Sequence, residues 1–308
     1  MSHHLRHLTT LEGLDRATME RLIHRAGSLR EACRYGTHKL DLLAGRTVLN
    51  LFFEPSTRTR TSFELAARRL GADVVNFNIA HSSTNKGETL IDTLHTLEAM
   101  HLDILVVRHK QDGTPERLVR HAMSGVSVVN AGDGTRAHPT QGLLDALTIH
   151  QHHGDFGPLT VTICGDIRHS RVARSDIHAL TALGARDIRL CGPAAMLPDA
   201  EEFPGCTLEE DFDTALAGSD VVIMLRLQKE RMAATELPDE ATYFRRYGLT
   251  AARLAHAAPG CLVMHPGPIN RGIEIADEVA DGAQSRILEQ VGNGVFMRMA
   301  VLAEVLGR

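Results

Sequence analysis

Residues 52–72 read F-F-E-P-S-T-R-T-R-T-S-F-E-L-A-A-R-R-L-G-A. Within them Ser56, Thr57, Arg58, Thr59, Arg60 and Thr61 bring hydroxyls and two guanidinium groups to the point where an apolar strand gives way to a helix. A helix N-terminus carries partial positive charge, so each cation there is unfavourable by about 0.3–1 kcal/mol unless something negative offsets it. Free backbone N–H groups, hydroxyls and guanidinium forks together describe a cradle for phosphate. Ser56 as a plain N-cap accounts for one residue of the cluster. Arginines on a solvated helix face account for two more.

The same polarity recurs where other strand-like runs end. Residues 103–108 lead into Arg108-His109, and 126–130 into His138-Pro139-Thr140-Gln141. In the second half, V-T-I-C-G-D-I-R-H-S-R-V-A-R-S leaves its strand at Gly165 and opens a helix with Arg168, Arg171 and Arg174. V-V-I-M-L-R-L-Q-K-E-R ends in Arg226 and Gln228, and C-L-V-M-H-P-G-P-I-N-R-G in His265-Pro266-Gly267-Pro268. Ligands of open α/β sheets collect at the carboxyl ends of strands. Each half of the chain therefore offers an anion site, one suited to a phosphate and one to a carboxylate held by guanidinium forks. A polar loop, H-S-S-T-N-K-G-E-T at 81–89, adds Ser82, Ser83, Thr84 and Lys86 before Gly87 and could close over such a site.

Other chemistries lack their signatures. There is no G-x-x-x-x-G-K-[ST], no G-x-S-x-G and no H-E-x-x-H. Gly132-Asp133-Gly134-Thr135-Arg136-Ala137 matches a dinucleotide fingerprint in letters. It follows several strands rather than the first and runs straight into His138-Pro139. Cys33, Cys164, Cys191, Cys206 and Cys261 are odd in number and scattered, which predicts reduced thiols rather than a disulfide framework or a zinc site. The expectation is an enzyme without metal or cofactor. A net charge of −5 offers no footprint for nucleic acid. The apolar runs are strand-sized, far below the ~20 residues of a membrane span. The N-terminal M-S-H-H-L-R-H-L lacks the apolar region of a secretory signal, which predicts a cytoplasmic protein without membrane partners.

The elements that must hold these residues alternate between strand and helix, as in an α/β protein of two doubly wound domains. Strands are expected near 46–53, 73–78, 103–108 and 126–130, then near 159–165, 186–191, 220–226 and 261–265. After the 46–53 strand, Phe63, Ala67 and Leu70 share a helical face and Gly71 supplies the stop. H-P-T-Q-G-L-L-D-A-L-T-I-H-Q-H-H-G at 138–154 reads as a helix crossing between domains, with Pro139 at its first position and Gly154 past its end. The last segment is amphipathic, with Val295, Met299, Leu302 and Leu306 on one stripe. The expected domains are 1–137 and 138–290, each a mostly parallel sheet flanked by helices, with a C-terminal helix at 291–308 packing back on the first.

At these residues the chain resembles the aspartate branch of the carbamoyltransferase family. The motifs that carry the resemblance are F-E-P-S-T-R-T-R-T-S-F (53–63), S-S-T-N-K-G-E-T (82–89), H-P-T-Q-G-L-L-D (138–145), G-D-I-R-H-S-R-V-A-R-S (165–175), R-L-Q-K-E-R (226–231) and H-P-G-P-I-N-R (265–271). They agree in order and spacing. S-T-R-T-R identifies the wider group, whereas Lys86-Gly87-Glu88 and Arg226-x-Gln228 select the aspartate branch.

The resemblance implies carbamoyl transfer from carbamoyl phosphate to the α-amine of L-aspartate, a step of pyrimidine biosynthesis. It implies that Ser56, Thr57, Arg58 and Thr59 hold carbamoyl phosphate, and that Arg108, His138 and Gln141 complete that site. Gly267 and Pro268 would add main-chain groups, and Arg171, Arg226 and Gln228, with Lys86, would bind aspartate. Arg58, Thr59, Lys86, Arg108 and His138 are the expected catalytic residues. Ser82 and Lys86 would reach in from a neighbouring subunit of a homotrimer with shared active sites, with Ser83 the alternative to Ser82. Any nucleotide control would come from a separate regulatory or dihydroorotase-like chain. Two competing readings are an ornithine carbamoyltransferase and an inactive scaffold of the same fold. Guanidinium groups at Arg171 and Arg226 and the lack of a Ser-Met-Gly motif oppose the first. Intact Arg58, Lys86 and His138 oppose the second.

Overall fold

The computed structural model describes residues 4–34, 39–77, 88–123, 125–228 and 239–308. The chain forms two compact units, one of residues 1–147 and 293–308, the other of residues 148–292. In the first unit the order is α1 (Arg16–Arg34), β1 (Thr47–Phe52), α2 (Thr57–Arg69), β2 (Asp73–Phe77), α3 (Leu90–Glu98), β3 (Ile104–His109), α4 (Thr114–His121) and β4 (Ser127–Asp133). Helix α5 (Pro139–His153) then carries the chain into the second unit.

All pairings in the first sheet are parallel, in the order β2-β1-β3-β4. The inner strands T-V-L-N-L-F, I-L-V-V-R-H and S-V-V-N-A-G-D are rich in Val, Ile and Leu because helices cover both faces of a parallel sheet. Leu49, Leu51, Leu105, Val107 and Val128 form one core with Leu94, Leu97 and Leu118 from α3 and α4. Helix α2 buries Phe63, Ala66 and Ala67, and Leu70 behind them. Gly71, at φ +84°, then turns the chain out of the helix. At the N-terminal end of α3, Thr89 and Asp92 form a capping box.

The second unit contains β5 (Thr160–Cys164), α6 (Arg171–Leu183), β6 (Asp187–Cys191), β7 (Cys206–Glu209), α7 (Phe212–Leu216), β8 (Val221–Met224), α8 (Glu240–Tyr247), α9 (Ala251–Leu254), β9 (Leu262–Met264) and α10 (Asp277–Ala280). Its sheet is also parallel, in the order β7-β6-β5-β8-β9. Val222, Met224 and Val263 pack with Phe212, Leu216, Tyr243 and Tyr247. Helix α11 (Ile287–Glu304) leads back to the first unit, where Ser127 Oγ donates to the Val305 carbonyl at 2.9 Å and Glu304 pairs with Arg21 and Arg25, both at 3.1 Å. The chain is thus two α/β units joined by helices.

Three details differ from the sequence reading. Strand β7 was not expected, because C-T-L-E is a short edge strand without an apolar run. Arg168 does not open α6: Ser170 is the N-cap and Arg171 the first helical residue. Helix α11 starts at Ile287, and from Met297 to Glu304 it is buried all round rather than along one stripe.

Candidate active site

In each sheet the parallel arrangement brings all strand carboxyl ends to one edge. In the first unit the neighbours β1, β3 and β4 carry the cluster after β1, Arg108 on β3, and His138 just beyond β4. The strand order reverses between β1 and β3, the position at which doubly wound sheets open a crevice.

The N-terminus of α2 points its first-turn N–H groups at that edge. Ser56 is the N-cap, yet its hydroxyl makes no capping bond, and no acidic residue lies in the first turn. Thr57 and Arg58 are exposed, whereas Thr59 is buried, its carbonyl accepting from Ser62 Oγ at 2.8 Å. Arg108 is held in place. Its backbone carbonyl accepts from the Phe53 N–H at 2.8 Å, its Nη1 donates to the Ala131 carbonyl at 3.2 Å, and its Nε lies 3.2 Å from Glu54 Oε2. These contacts on two sides fix the orientation of the guanidinium plane.

His138 immediately precedes α5 and Gln141 lies in its first turn; both are buried. Gln141 Nε2 donates to both oxygens of Asp145, at 3.0 and 3.2 Å. That anchorage directs the amide with its nitrogen toward Asp145, leaving Oε1 as the acceptor on its other side. The turn delivering His138 is closed on itself: the Asp133 N–H donates to the Ala137 carbonyl at 2.9 Å, and Arg136 and Ala137 donate back to Asp133. Asp133 Oδ2 accepts from the Gly113 N–H at 3.1 Å. Burial, first of all, pushes the Asp133 carboxyl up to about 6, with the nearby carboxylates of Glu116 and Asp112 adding to the effect. Gly134 has φ +46°, and a Cβ there would collide with the Asp112 carboxylate, so glycine is required.

In the second unit the adjacent strands β5, β8 and β9 carry Arg171, Arg226 with Gln228, and Gly267 with Pro268 beyond their carboxyl ends. Here the order reverses between β5 and β8. Gly165, at φ +136°, permits that junction, since a Cβ would lie 2.9 Å from the Leu225 carbonyl oxygen. Arg168 donates to the Leu197 carbonyl at 2.9 Å and to Asp199 at 3.1 Å, and Arg174 pairs with Glu202 and lies over the Phe203 ring. Arg171 is buried at the start of α6. Arg226 Nη2 lies 3.4 Å from Gln228 Oε1, so the two act on one locality. The Gly267–Pro268 peptide is cis.

Ser82, Ser83 and Lys86, and residues 229–231 of the R-L-Q-K-E-R motif, lie outside the described residues. Sequence reasoning missed Glu54, Asp145 and Glu274, which hold Arg108, Gln141 and His265. Asp145 carried a signal, standing four residues after Gln141 on one helix face. Glu54 stands inside the F-E-P-S-T run, unremarkable by type. Glu274 follows His265 by an irregular stretch with no periodicity to point to it.

Comparison with known proteins decides the family. One family model, Aspartate/ornithine carbamoyltransferase, carbamoyl-P binding domain, matches residues 6–151, and a second, Aspartate/ornithine carbamoyltransferase, Asp/Orn binding domain, matches residues 158–305. The chain belongs to the aspartate/ornithine carbamoyltransferase family. It is 59% identical to the aspartate carbamoyltransferase catalytic subunit of Xanthomonas campestris pv. campestris over 304 residues, 98% of this chain and 96% of that protein. Among solved structures it resembles aspartate transcarbamoylase from Trypanosoma cruzi in complex with carbamoyl phosphate and aspartate. That likeness has a TM-score of 0.86 at 34% identity, over 97% of this chain and 96% of the other. Ornithine carbamoyltransferase from Pyrococcus furiosus superposes with a TM-score of 0.88 at 29% identity, covering 98% and 97% of the two chains. Backbone likeness therefore does not separate the two carbamoyltransferase branches; the side chains must. Among the described residues no helix is long and apolar enough to cross a membrane.

Proposed function

We infer that this chain transfers the carbamoyl group of carbamoyl phosphate to the α-amine of L-aspartate, giving N-carbamoyl-L-aspartate and phosphate in pyrimidine biosynthesis. The observation that carries the choice of acceptor is the pair of guanidinium groups, Arg171 and Arg226, beyond the adjacent strands β5 and β8. They suit the carboxylates of aspartate and would repel the ammonium of ornithine. The identity to aspartate carbamoyltransferase catalytic subunits over nearly the whole chain supports the same choice.

On this reading the phosphate sits against Ser56, Thr57, Arg58 and Thr59 at the N-terminus of α2. Thr59, Arg108 and His138 donate to the carbamoyl oxygen, and Gln141 Oε1 accepts from the carbamoyl nitrogen. Arg171, Arg226 and Gln228 hold aspartate, and Gly267 and Pro268 contribute main-chain groups. The amine lone pair attacks the carbamoyl carbon and negative charge grows on its oxygen. The bond to the phosphate oxygen then breaks, and the amine proton leaves with the phosphate. No covalent intermediate on the protein is needed. The catalytic work is to hold two anions together and to meet developing charge with fixed donors. Loss of one such donor typically costs about 10²–10³ in turnover.

Ser82 and Lys86 belong to this site as residues of a neighbouring chain. A homotrimer with one repeated head-to-tail contact gives every site one such loop. Nucleotide control would require a separate chain. Assaying phosphate release with aspartate and with ornithine side by side tests the acceptor. Turnover with aspartate alone supports the reading, and turnover with ornithine overturns it.

A further inference from the structure

Beyond β9 the chain makes a turn whose geometry depends on two fully buried side chains. His265 and Glu274 have no solvent-accessible side-chain surface. The Gly267 N–H donates to His265 Nδ1 at 2.8 Å. A ring nitrogen that accepts cannot carry a proton, so the proton of the neutral ring is on Nε2, which lies 3.1 Å from Glu274 Oε1 and donates to it. The Asn270 N–H donates to the same oxygen at 2.5 Å. Glu274 is in turn pinned through its main chain, its carbonyl accepting from the Leu249 N–H at 3.0 Å, while the His265 N–H donates to Gln290 Oε1 at 2.8 Å. A continuous chain of bonds thus runs from Glu274 through the imidazole to the Gly267 N–H. Gly267 stands at φ +68°, a left-handed conformation that glycine adopts readily, so its N–H is free to meet Nδ1 in this turn.

We infer that Glu274 and His265 are positioning residues: by fixing the imidazole as the Nε2–H tautomer, Glu274 makes Nδ1 the anchor that sets the Gly267–Pro268 turn for the reacting carbamoyl group. The inference rests on the proposed function, in which the main chain of that turn meets the substrate. Neither side chain touches the substrate. Their contribution is the direction in which the turn presents its carbonyl groups, an effect felt more in turnover than in substrate affinity.

The experiment uses the 308-residue chain and four variants: Glu274→Gln, Glu274→Leu, His265→Asn and His265→Gln. Gln at 274 keeps an acceptor for both N–H groups, so kcat should stay within about threefold of wild type, whereas Leu removes it and should lower kcat by about tenfold or more. The His265 pair separates positioning from mere stability. An Asn Oδ1 takes the place of Nδ1 and still accepts from Gly267, but loses Glu274. A Gln reaches Glu274 and loses Gly267. His265→Asn should therefore exceed His265→Gln in kcat per folded protein, with the KM for carbamoyl phosphate moving little in either. Nitrogen-15 spectra of the wild-type histidines should show one ring held as the Nε2–H tautomer, and Glu274→Leu should release it. If Glu274→Leu is insoluble, the His265 pair and the wild-type spectrum decide. Equal kcat in the two His265 variants, or a wild-type spectrum without that tautomer, would overturn the inference while leaving the proposed function in place. A wild type that is folded yet inactive with aspartate would overturn both.

Discussion

Asp133 gives a prediction in which the sign and size both come from the structure. Its carboxyl is buried at the end of β4, close to Glu116 and Asp112, and stands at about 6 rather than 3.8. That rise corresponds to about 3 kcal/mol against the ionised form in the folded protein, and solvation and relaxation around one turn reduce it to on the order of 1–2 kcal/mol. A folded-state value raised above the unfolded one means stability that is complete below pH 3.8 and lost as pH rises through 6. Asp133→Asn keeps an oxygen for the Gly113 N–H and removes the ion. The variant should match wild type near pH 3, below the unfolded value, and exceed it by about 1–2 kcal/mol at pH 8. Urea unfolding at a series of pH values measures this, followed by far-ultraviolet circular dichroism because the chain has no tryptophan. A difference that does not change between pH 3 and 8, or a variant less stable at pH 8, would refute the reasoning.

Three further outcomes follow from the proposed site. Arg58→Ala should abolish turnover and leave the fold intact, because Arg58 is exposed at the first turn of α2; wild-type-like turnover would remove it from the phosphate site. Arg226→Ala should raise the aspartate KM by roughly 10-fold or more with carbamoyl phosphate binding spared, since a charge-assisted hydrogen bond contributes about 1.5–3 kcal/mol; equal losses for both substrates would place Arg226 in the other half. Arg58→Ala and Lys86→Ala, each inactive alone, should regain activity when dissociated and reassociated together, up to about one intact site per mixed trimer; verified exchange without recovery would mean that Lys86 serves its own chain.

Much of this architecture was legible because the inner strands are continuous apolar runs. T-V-L-N-L-F and I-L-V-V-R-H can be little else between turn signals, and Phe63, Ala67 and Leu70 mark the face of α2 without ambiguity. The edge strand β7 was not legible, since C-T-L-E buries too little to need apolar residues. The start of α11 was hidden for a related reason: Leu288 is 85% and Val291 50% exposed, which breaks the amphipathic pattern before Asn293. Polar strand ends announced where ligands would collect, but residue type alone could not rank Arg168, Arg171 and Arg174. Packing distinguishes them by exposure: Arg171 is buried at the start of α6, whereas Arg168, paired with Asp199, and Arg174, paired with Glu202, are partly exposed. The supports Glu54 and Glu274 were the least visible, as each acts through a contact that spacing does not record, whereas Asp145 stands one helical turn after Gln141.

The proposed activity is defined by the destination of the carbamoyl group. Carbamoyl phosphate labelled with carbon-13 at the carbonyl, supplied with aspartate and followed by NMR, reads the destination and the rate together. The label should appear in N-carbamoyl-L-aspartate as fast as phosphate is released, and both signals should vanish in His138→Ala. Phosphate release without labelled aspartate, or label that enters ornithine in preference when both amines are present, would contradict the account.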